Sequence, residues 1–130
     1  EFNHSPDDLV HFLQIWIEPN VTGIAPGYEE TQFDDESKRG KLRLIAAPDG
    51  RDGSVTIHQD AYVYASLLNG TDKVSHALAQ GRSAYVHVVR GDVNVNGQAL
   101  TTGDAAKLSG ETLVELAQAK DAEILLFDLP

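Results

Sequence analysis

The side chains in this 130-residue chain that could do chemistry are mainly its five histidines, since the chain has no cysteine. An imidazole can bind a divalent metal or transfer a proton near neutral pH. The histidines are scattered singly along the chain, at His4, His11, His58, His76 and His87. His87 lies within alternating apolar residues, a pattern that favours a hydrogen-bonded strand residue over a metal ligand. We interpret His58 as a structural hydrogen-bonding residue, His4 and His11 as surface or packing residues, and His76 as too isolated to form a site.

Other catalytic patterns are weak in this sequence. No Gly-rich phosphate-binding loop is present, and no serine lies in a nucleophile-elbow context. Two acidic runs, Glu29-Glu30 and Asp34-Asp35-Glu36, are more typical of solvated loops than of a catalytic carboxylate pair. The formal net charge of -10 disfavours binding to nucleic acid, because such a surface repels a phosphate backbone.

Composition indicates one globular domain, with 42% apolar residues and a length sufficient for a buried core. We expect no membrane span, because no apolar run reaches about 18 residues. No signal peptide is visible, and the absence of cysteine excludes a disulfide framework. We therefore expect a cytoplasmic protein. The chain begins at Glu1-Phe2 rather than at Met, which indicates processing, a cloning remnant or a piece of a longer protein.

The elements that must position these side chains are best predicted between residues 82 and 108. Residues 84–89 alternate as a strand, Arg90-Gly91-Asp92 is predicted to turn, and the alternation resumes at residues 93–95. Asn96-Gly97 is typical of a tight hairpin, since both central positions of a type I′ turn need positive φ. Thr102-Gly103-Asp104 predicts a further turn. This pitch of strands and turns is typical of an antiparallel barrel or jelly roll.

The rest of the chain predicts more strands, and about nine or ten in total, without a convincing amphipathic helix. We predict them at residues 10–17, 41–47, 55–58, 61–67, 74–79, 111–117 and 123–129, with a turn at Lys120-Asp121. Residues 20–40 form an unusually long irregular segment for a compact domain. We interpret it either as a surface loop or as a segment that packs on a neighbouring domain through Ile24, Pro26, Tyr28 and Phe33.

An all-β barrel of this size suggests a cupin, a fold whose metal is held by three histidines and one glutamate. These ligands come from two motifs, G-x5-H-x-H-x3–4-E-x6-G and G-x5-P-x-G-x2-H-x3-N. When the last glycine of the first motif is set on Gly91, its glutamate falls on Ala84. Its two histidines then fall on Leu78 and Gln80, or on Ala77 and Ala79.

The second cupin motif is equally altered. When it starts at Gly97, Gly103 stands where proline is expected, and its histidine falls on Leu108. Aliphatic side chains cannot bind a cation, so no metal ligand survives in this alignment. The sequence therefore predicts a cupin-shaped barrel with a metal-free interior.

Several short stretches, in order and over nearly the whole chain, resemble the pirin-like bicupins, and specifically the C-terminal half of the quercetin 2,3-dioxygenase-like members. They are Gln14-Ile15-Trp16-Ile17 with Pro19, Pro26-Gly27-Tyr28 with Phe33, Pro48-Asp49-Gly50-Arg51-Asp52-Gly53-Ser54, His58-Gln59-Asp60, Val88-Val89-Arg90-Gly91, Asn96-Gly97, Gly103-Asp104 and Phe127-Asp128-Leu129-Pro130. The resemblance implies an all-β, antiparallel cupin-type double-stranded β-helix, also called a jelly-roll barrel.

The resemblance also implies a function for full-length relatives. Pirins have two cupin barrels, and the N-terminal barrel holds an iron-type divalent metal that serves the oxygenation of flavonols such as quercetin. Some relatives instead regulate other proteins by binding them. The family's last ligand segment resembles H-x-E-x-N, and Glu1-Phe2-Asn3 matches its end, which implies Glu1 as the last metal ligand of a preceding barrel. The three histidines of that barrel are absent from this chain.

On this basis we expect residues 1–40 to form an N-terminal strand and an irregular segment that bridges to a preceding barrel, and residues 41–130 to form the C-terminal barrel. We expect this chain alone to be structural, inactive and without a cofactor. Its expected partner is the preceding cupin barrel or a second copy of the chain, which would cover an apolar patch around Trp16, Ile24, Tyr28 and Phe33. The alternative hypotheses are a stand-alone cupin module that binds a small apolar or aromatic ligand and a protein-interaction module.

Overall fold

The computed structural model describes residues 2–130, and its regular structure is almost entirely β-strand. The strands are Arg43–Ala47 (β1), Val55–Thr56 (β2), Tyr62–Leu68 (β3), Val74–Ala77 (β4), Ser83–Val95 (β5), Gln98–Thr101 (β6), Ala105–Ser109 (β7) and Leu113–Leu129 (β8). A single 3-10 turn spans Arg51–Gly53. The predicted all-β class is therefore confirmed, although the described residues contain eight strands rather than nine or ten. No helix among them is long and apolar enough to cross a lipid bilayer.

Two long strands, β5 and β8, pair with each other and give the fold its two layers. The C-terminal half of β8 pairs with β3 and the N-terminal half of β5, which also pairs with β7. The opposite halves pair with each other and with the short strands β4 and β6. All these pairs are antiparallel, whereas β1 and β2 pair in parallel over two residues. The predicted jelly-roll architecture is confirmed.

The main core lies between the two layers. It contains alternate residues of β5 and β8, which point inward because successive strand side chains point to opposite faces. Fully buried members are Val86, Val88, Val114, Leu116, Ile124 and Leu126. Aliphatic side chains therefore fill the space between the layers at these positions.

The Asn96-Gly97 hairpin is confirmed, and both residues have the positive φ values, 48° and 84°, that the type I′ prediction required. The turn at Thr102-Gly103-Asp104 is also present, with the Asp104 amide donating to the carbonyl of Thr101 at 2.9 Å. These turns are encoded locally, so the sequence is sufficient to place them.

Two predicted turns are wrong, because β5 runs without interruption through Arg90-Gly91-Asp92 and β8 runs through Lys120-Asp121. At both places the pairing of β5 with β8 shifts register, as it does at a β-bulge. Gly91 has a φ of +77°, and a Cβ there would come within 2.6 Å of the Asp121 carbonyl carbon. The glycine therefore does not end β5. It allows the backbones of the two bent strands to approach each other closely.

The predicted strand at residues 10–17 is wrong. These residues belong to no sheet of the described chain. Their apolar side chains are largely exposed, and Trp16 retains 88% of its accessible surface. The alternation reflects a segment that is apolar on both sides and only partly covered by its own barrel.

Residues 2–33, which we call the N-terminal arm, contain no helix or strand but are attached to the barrel at several points. Ile17 packs on an outer apolar cluster around Ala46, Val63 and Phe127. The arm also makes three hydrogen bonds to the segment at residues 56–59, from the Asn20 amide to the His58 carbonyl, from the Gln59 side chain to the Glu18 carbonyl, and from the Thr56 amide to the Glu29 carboxylate, each 2.8 Å long.

Phe33 differs from the other residues predicted to meet a neighbouring domain. Its ring lies 5.2 Å from the Arg43 guanidinium of the same barrel and is partly buried. Ile24 and Tyr28, by contrast, are 44% and 84% exposed. The apolar patch on the arm therefore includes Trp16, Ile24 and Tyr28, but Phe33 packs within this chain.

Candidate functional site

A connected group of polar side chains lies at one end of the barrel, where β8 ends. Asp128 follows Ile124 and Leu126 in the alternation of β8, so its side chain lies on the core-facing side of the strand. Tyr62 and Tyr64 lie on the same face of β3, because Tyr62 pairs with Asp128 and Tyr64 pairs with Leu126. The remaining members are His76 of β4, Arg82 before β5, and Asp60 before β3.

Asp128 is the centre of this group and is only 6% exposed. One carboxylate oxygen lies 2.7 Å from Nε2 of His76, and the other accepts a hydrogen bond from Nε of Arg82. Arg82 also donates through Nη2 to the Asp128 carbonyl at 3.2 Å and through Nη1 to the Asp60 carboxylate at 2.9 Å. The buried charge is thus paired and hydrogen-bonded, as a carboxylate in a protein interior requires.

Arg82 holds its charge firmly in this arrangement. Burial of the guanidinium acts to lower the pKa of Arg82, but hydrogen bonds to Asp128 and then to Asp60 outweigh it and raise the pKa above its ordinary value. The guanidinium also lies 5.3 Å from the ring centre of Tyr62. Arg82 is therefore a fixed cation that bridges two acids and an aromatic ring.

Two tyrosines complete the site. The Tyr64 ring lies 4.8 Å from the His76 ring, at a tilt of 51°. Burial first, and then the negative charge of Asp128, raise the pKa of Tyr64, while Arg51 partly opposes this shift. Tyr64 is therefore a neutral phenol at physiological pH and can donate a hydrogen bond, but it cannot act as a base.

The donor set of this chain does not fit a cupin metal. The positions that the motif alignment assigned to ligands hold Leu78, Ala84 and Leu108, which are all part of the buried core. His76 is paired with an acid that also contacts the Arg82 guanidinium, and a cation in that position opposes a bound metal ion. Within residues 2–130, no group of three or more His, Asp or Glu side chains could hold a metal ion.

The structure does not bring the other candidate residues together. His58 is exposed, and His87 is partly buried on the outer face of β5, where it pairs with Ala105 and Leu125. His4 and His11 are exposed on the arm. The predicted ligand Glu1 lies outside the described residues.

Sequence reasoning missed the group around Asp128, although one signal pointed to it. Asp128 interrupts the inward-facing series of β8, and a charged residue at a core-facing strand position requires a partner. The partner Arg82 lies 46 residues away, and His76 lies 52 residues away. No local pattern could identify them.

The fold defines this chain as a cupin domain. Residues 44–129 match the family described as the quercetinase C-terminal cupin domain, and the chain belongs to this family.

Curated relatives agree with this assignment. The chain is 38% identical over 130 residues to quercetin 2,3-dioxygenase of Escherichia coli K12, covering 100% of this chain and 55% of that protein. It is 32% identical over 129 residues to a pirin-like protein of Caulobacter vibrioides, covering 98% of this chain and 55% of that protein. The chain therefore spans about half the length of the curated relatives it matches.

Among solved structures, the chain is similar to YhhW from Escherichia coli, with a TM-score of 0.83 and 36% identity over 88% of this chain and 48% of that chain. A second structure of the same protein, in complex with nickel(II), gives a TM-score of 0.79 at 36% identity, over 86% of this chain and 47% of that chain. The resemblance to the pirin-like family is thus confirmed.

Proposed function

We propose that this chain is a metal-free C-terminal cupin domain that supports a preceding, metal-binding barrel and has no catalytic activity alone. The observation that carries this proposal is the charge network at the end of the barrel. His76, Arg82 and Asp128 satisfy one another, and the aliphatic residues Leu78, Ala84 and Leu108, which the motif alignment sets at ligand positions, are buried in the core. The whole protein would then be a metal-dependent quercetin or flavonol 2,3-dioxygenase, in line with the names of its relatives.

The N-terminal arm supports the second part of the proposal, which is contact with a preceding barrel. Ten of the eleven large apolar residues that are exposed in the described chain lie between Phe2 and Tyr28. An apolar surface of this density is typical of an interaction site rather than of a free surface. The same patch favours the alternatives of a self-associated dimer and of a protein-interaction module.

A small apolar ligand in the barrel is less well supported. Val86, Val88, Ile124 and Leu126 are fully buried against their neighbours, so aliphatic side chains already fill this part of the barrel. The cytoplasmic location is part of the same proposal and rests on the absence of cysteine, which makes it compatible with a reducing compartment.

Metal loading tests the proposal. The purified chain is incubated anaerobically with Fe(II), Mn(II), Ni(II) or Cu(II), desalted and analysed by elemental mass spectrometry, and quercetin consumption is then followed under air. We expect far less than one metal per chain and no loss of quercetin, with full-length Escherichia coli quercetin 2,3-dioxygenase as the positive control. One retained metal per chain with quercetin turnover would overturn the proposal and make His58, His76 and His87 the residues to mutate.

A further inference from the structure

A concave groove of about 390 Å³ lies beside the N-terminal half of β1. One edge of this half of the strand has no paired strand, because β2 pairs only with Ala46 and Ala47. The groove is lined by side chains of β1 and of the residues just before it, of the turn at Arg51–Gly53 and of β3. Those that matter here are Lys41, Leu42, Arg43, Leu44, Arg51 and Tyr64. Its volume is in the range of small-molecule sites.

The groove is positively charged on a strongly acidic protein. Of ten basic residues in the chain, three line this groove, against one acid, Asp52. The lining therefore carries two net positive charges, whereas the whole chain has a formal net charge of -10. A local field of this sign attracts an anion and disfavours a cation.

Lys41 is available to bind an anion. It forms no salt bridge with any residue in the described range 2–130, whereas the nearby Lys38 pairs with Asp35 at 3.2 Å. The Lys41 backbone is nevertheless fixed, because its carbonyl accepts a hydrogen bond of 2.8 Å from the buried Ser66 hydroxyl. The ammonium group is thus a cation without a salt-bridge partner in the described range, on an anchored segment, with Asp34 near enough to interact with its charge.

Arg43 and Arg51 are held in place around the same groove. Arg43 donates through Nη2 to the Asp52 carbonyl at 2.5 Å, while its Nε is buried and has no acceptor among residues 2–130. Arg51 lies 4.7 Å from the Tyr62 ring centre, and its ion pair with Asp49 is long, at 3.5 Å. The stacked guanidinium is therefore positioned, and its contact with the Asp49 carboxylate is long and exposed to solvent.

We propose that this groove binds a small aromatic carboxylate. The carboxylate would lie between Lys41 and Arg51, where charge-assisted hydrogen bonds are strongest. The ring would lie against Leu42, Leu44 and Tyr64, which supply the apolar part of the lining. The groove shares Tyr64 with the site around Asp128, but its lining does not include His76, Arg82 or Asp128, and it does not depend on the presence of a preceding barrel.

The first test is an NMR titration of the ¹⁵N-labelled chain with sodium benzoate at low ionic strength, with benzamide as the neutral isostere. We expect saturable amide shifts at residues 41–44 and 51–52, and benzamide binding at least about tenfold weaker. The proposal is overturned if benzamide binds as well as benzoate, if the shifts lie elsewhere, or if no saturable shift occurs up to the solubility limit of benzoate.

A matched pair of variants separates a local contact from the overall charge. Lys41→Gln and Lys107→Gln each remove one exposed cation without a salt-bridge partner among residues 2–130, but Lys107 lies on β7, away from the groove. We expect Lys41→Gln to weaken benzoate binding about tenfold and Lys107→Gln to change it by less than about twofold. Equal effects of the two variants would show that only net charge matters and would overturn the proposed site.

Discussion

Asp128 places a negative charge at a core-facing position of β8, next to residues that are fully buried. Its two partners are also largely buried, because the side chains of His76 and Arg82 retain 16% and 17% of their accessible surface. Removing one member of such a group leaves the other buried charges without a partner. This lowers the free energy of unfolding far more than the loss of a surface ion pair does.

We therefore expect Asp128→Asn to lower the free energy of unfolding by about 2 to 3 kcal/mol at pH 7. The matched control is Glu123→Gln, which removes a carboxylate of the same strand that pairs with Arg90 at 2.8 Å on the surface. The control should cost less than about 1 kcal/mol. Urea denaturation of both variants measures the difference, and equal losses would contradict a structural role for the Asp128 network.

The raised pKa of Tyr64 predicts a loss of stability in alkaline solution. Burial and the Asp128 charge raise this pKa above its ordinary value of 10.0, so the unfolded chain loses the Tyr64 proton at a lower pH than the folded chain does. The stability that Tyr64 contributes through its raised pKa is fully present below about pH 10 and is lost as the pH rises further. Denaturation between about pH 9 and pH 12 should show a shallower decline for Tyr64→Phe than for the unmodified chain. Parallel declines would contradict this interpretation.

At the scale of elements, the bends of β5 and β8 bring the two layers of the barrel together. Gly91 lies at the crossing, where a side chain would overlap the backbone of Asp121. Gly97 has a similar φ of +84°, but no atom lies within 4 Å of the place where its Cβ would be. The two glycines therefore differ in the space around them but have similar φ values.

Substitution by alanine should separate these two effects. Gly97→Ala is expected to cost about 1 kcal/mol from the positive φ alone. Gly91→Ala carries the same cost and in addition displaces β8, so we expect a loss of about 3 kcal/mol or more. Thermal unfolding followed by circular dichroism measures both. A Gly91→Ala protein as stable as Gly97→Ala would show that the crossing can relax.

The sequence could predict the elements whose signals are local. Asn96-Gly97 and Gly103 impose turns by their own backbone preferences, so these positions were predicted correctly. The bends at Gly91 and Asp121 carry similar residues, yet they lie inside continuous strands, because the long-range pairing of β5 with β8 overrides the local turn preference. The prediction of a strand at residues 10–17 is wrong for a related reason. An alternating apolar pattern indicates that a segment will be buried, but it does not identify the surface that buries it.

At the scale of the whole molecule, the N-terminal arm exposes more apolar surface than an isolated domain normally does. Trp16 is the single tryptophan of the chain and is 88% exposed, so its fluorescence reports directly on the cover of the arm. The contact that would cover the N-terminal arm could not be predicted from the sequence of the barrel, because the core of the barrel is complete without the arm.

We expect Trp16 in this chain at low concentration to be fully quenched by acrylamide, and to become protected when a cupin barrel precedes the chain in the same polypeptide. If a second copy covers the arm instead, protection should rise with protein concentration, together with the mass measured by light scattering. A Trp16 that stays equally accessible in all three situations, with a constant monomer mass, would contradict the proposed contact.

The position of β8 in the chain has a consequence for biosynthesis. This strand pairs with β3, β4 and β5, all of which leave the ribosome earlier. Until residues 113–129 have emerged, these three strands expose unpaired edges and the aliphatic faces that β8 will cover. We therefore expect the barrel to fold late in translation, and a nascent chain stalled before β8 to be a preferred substrate for chaperones.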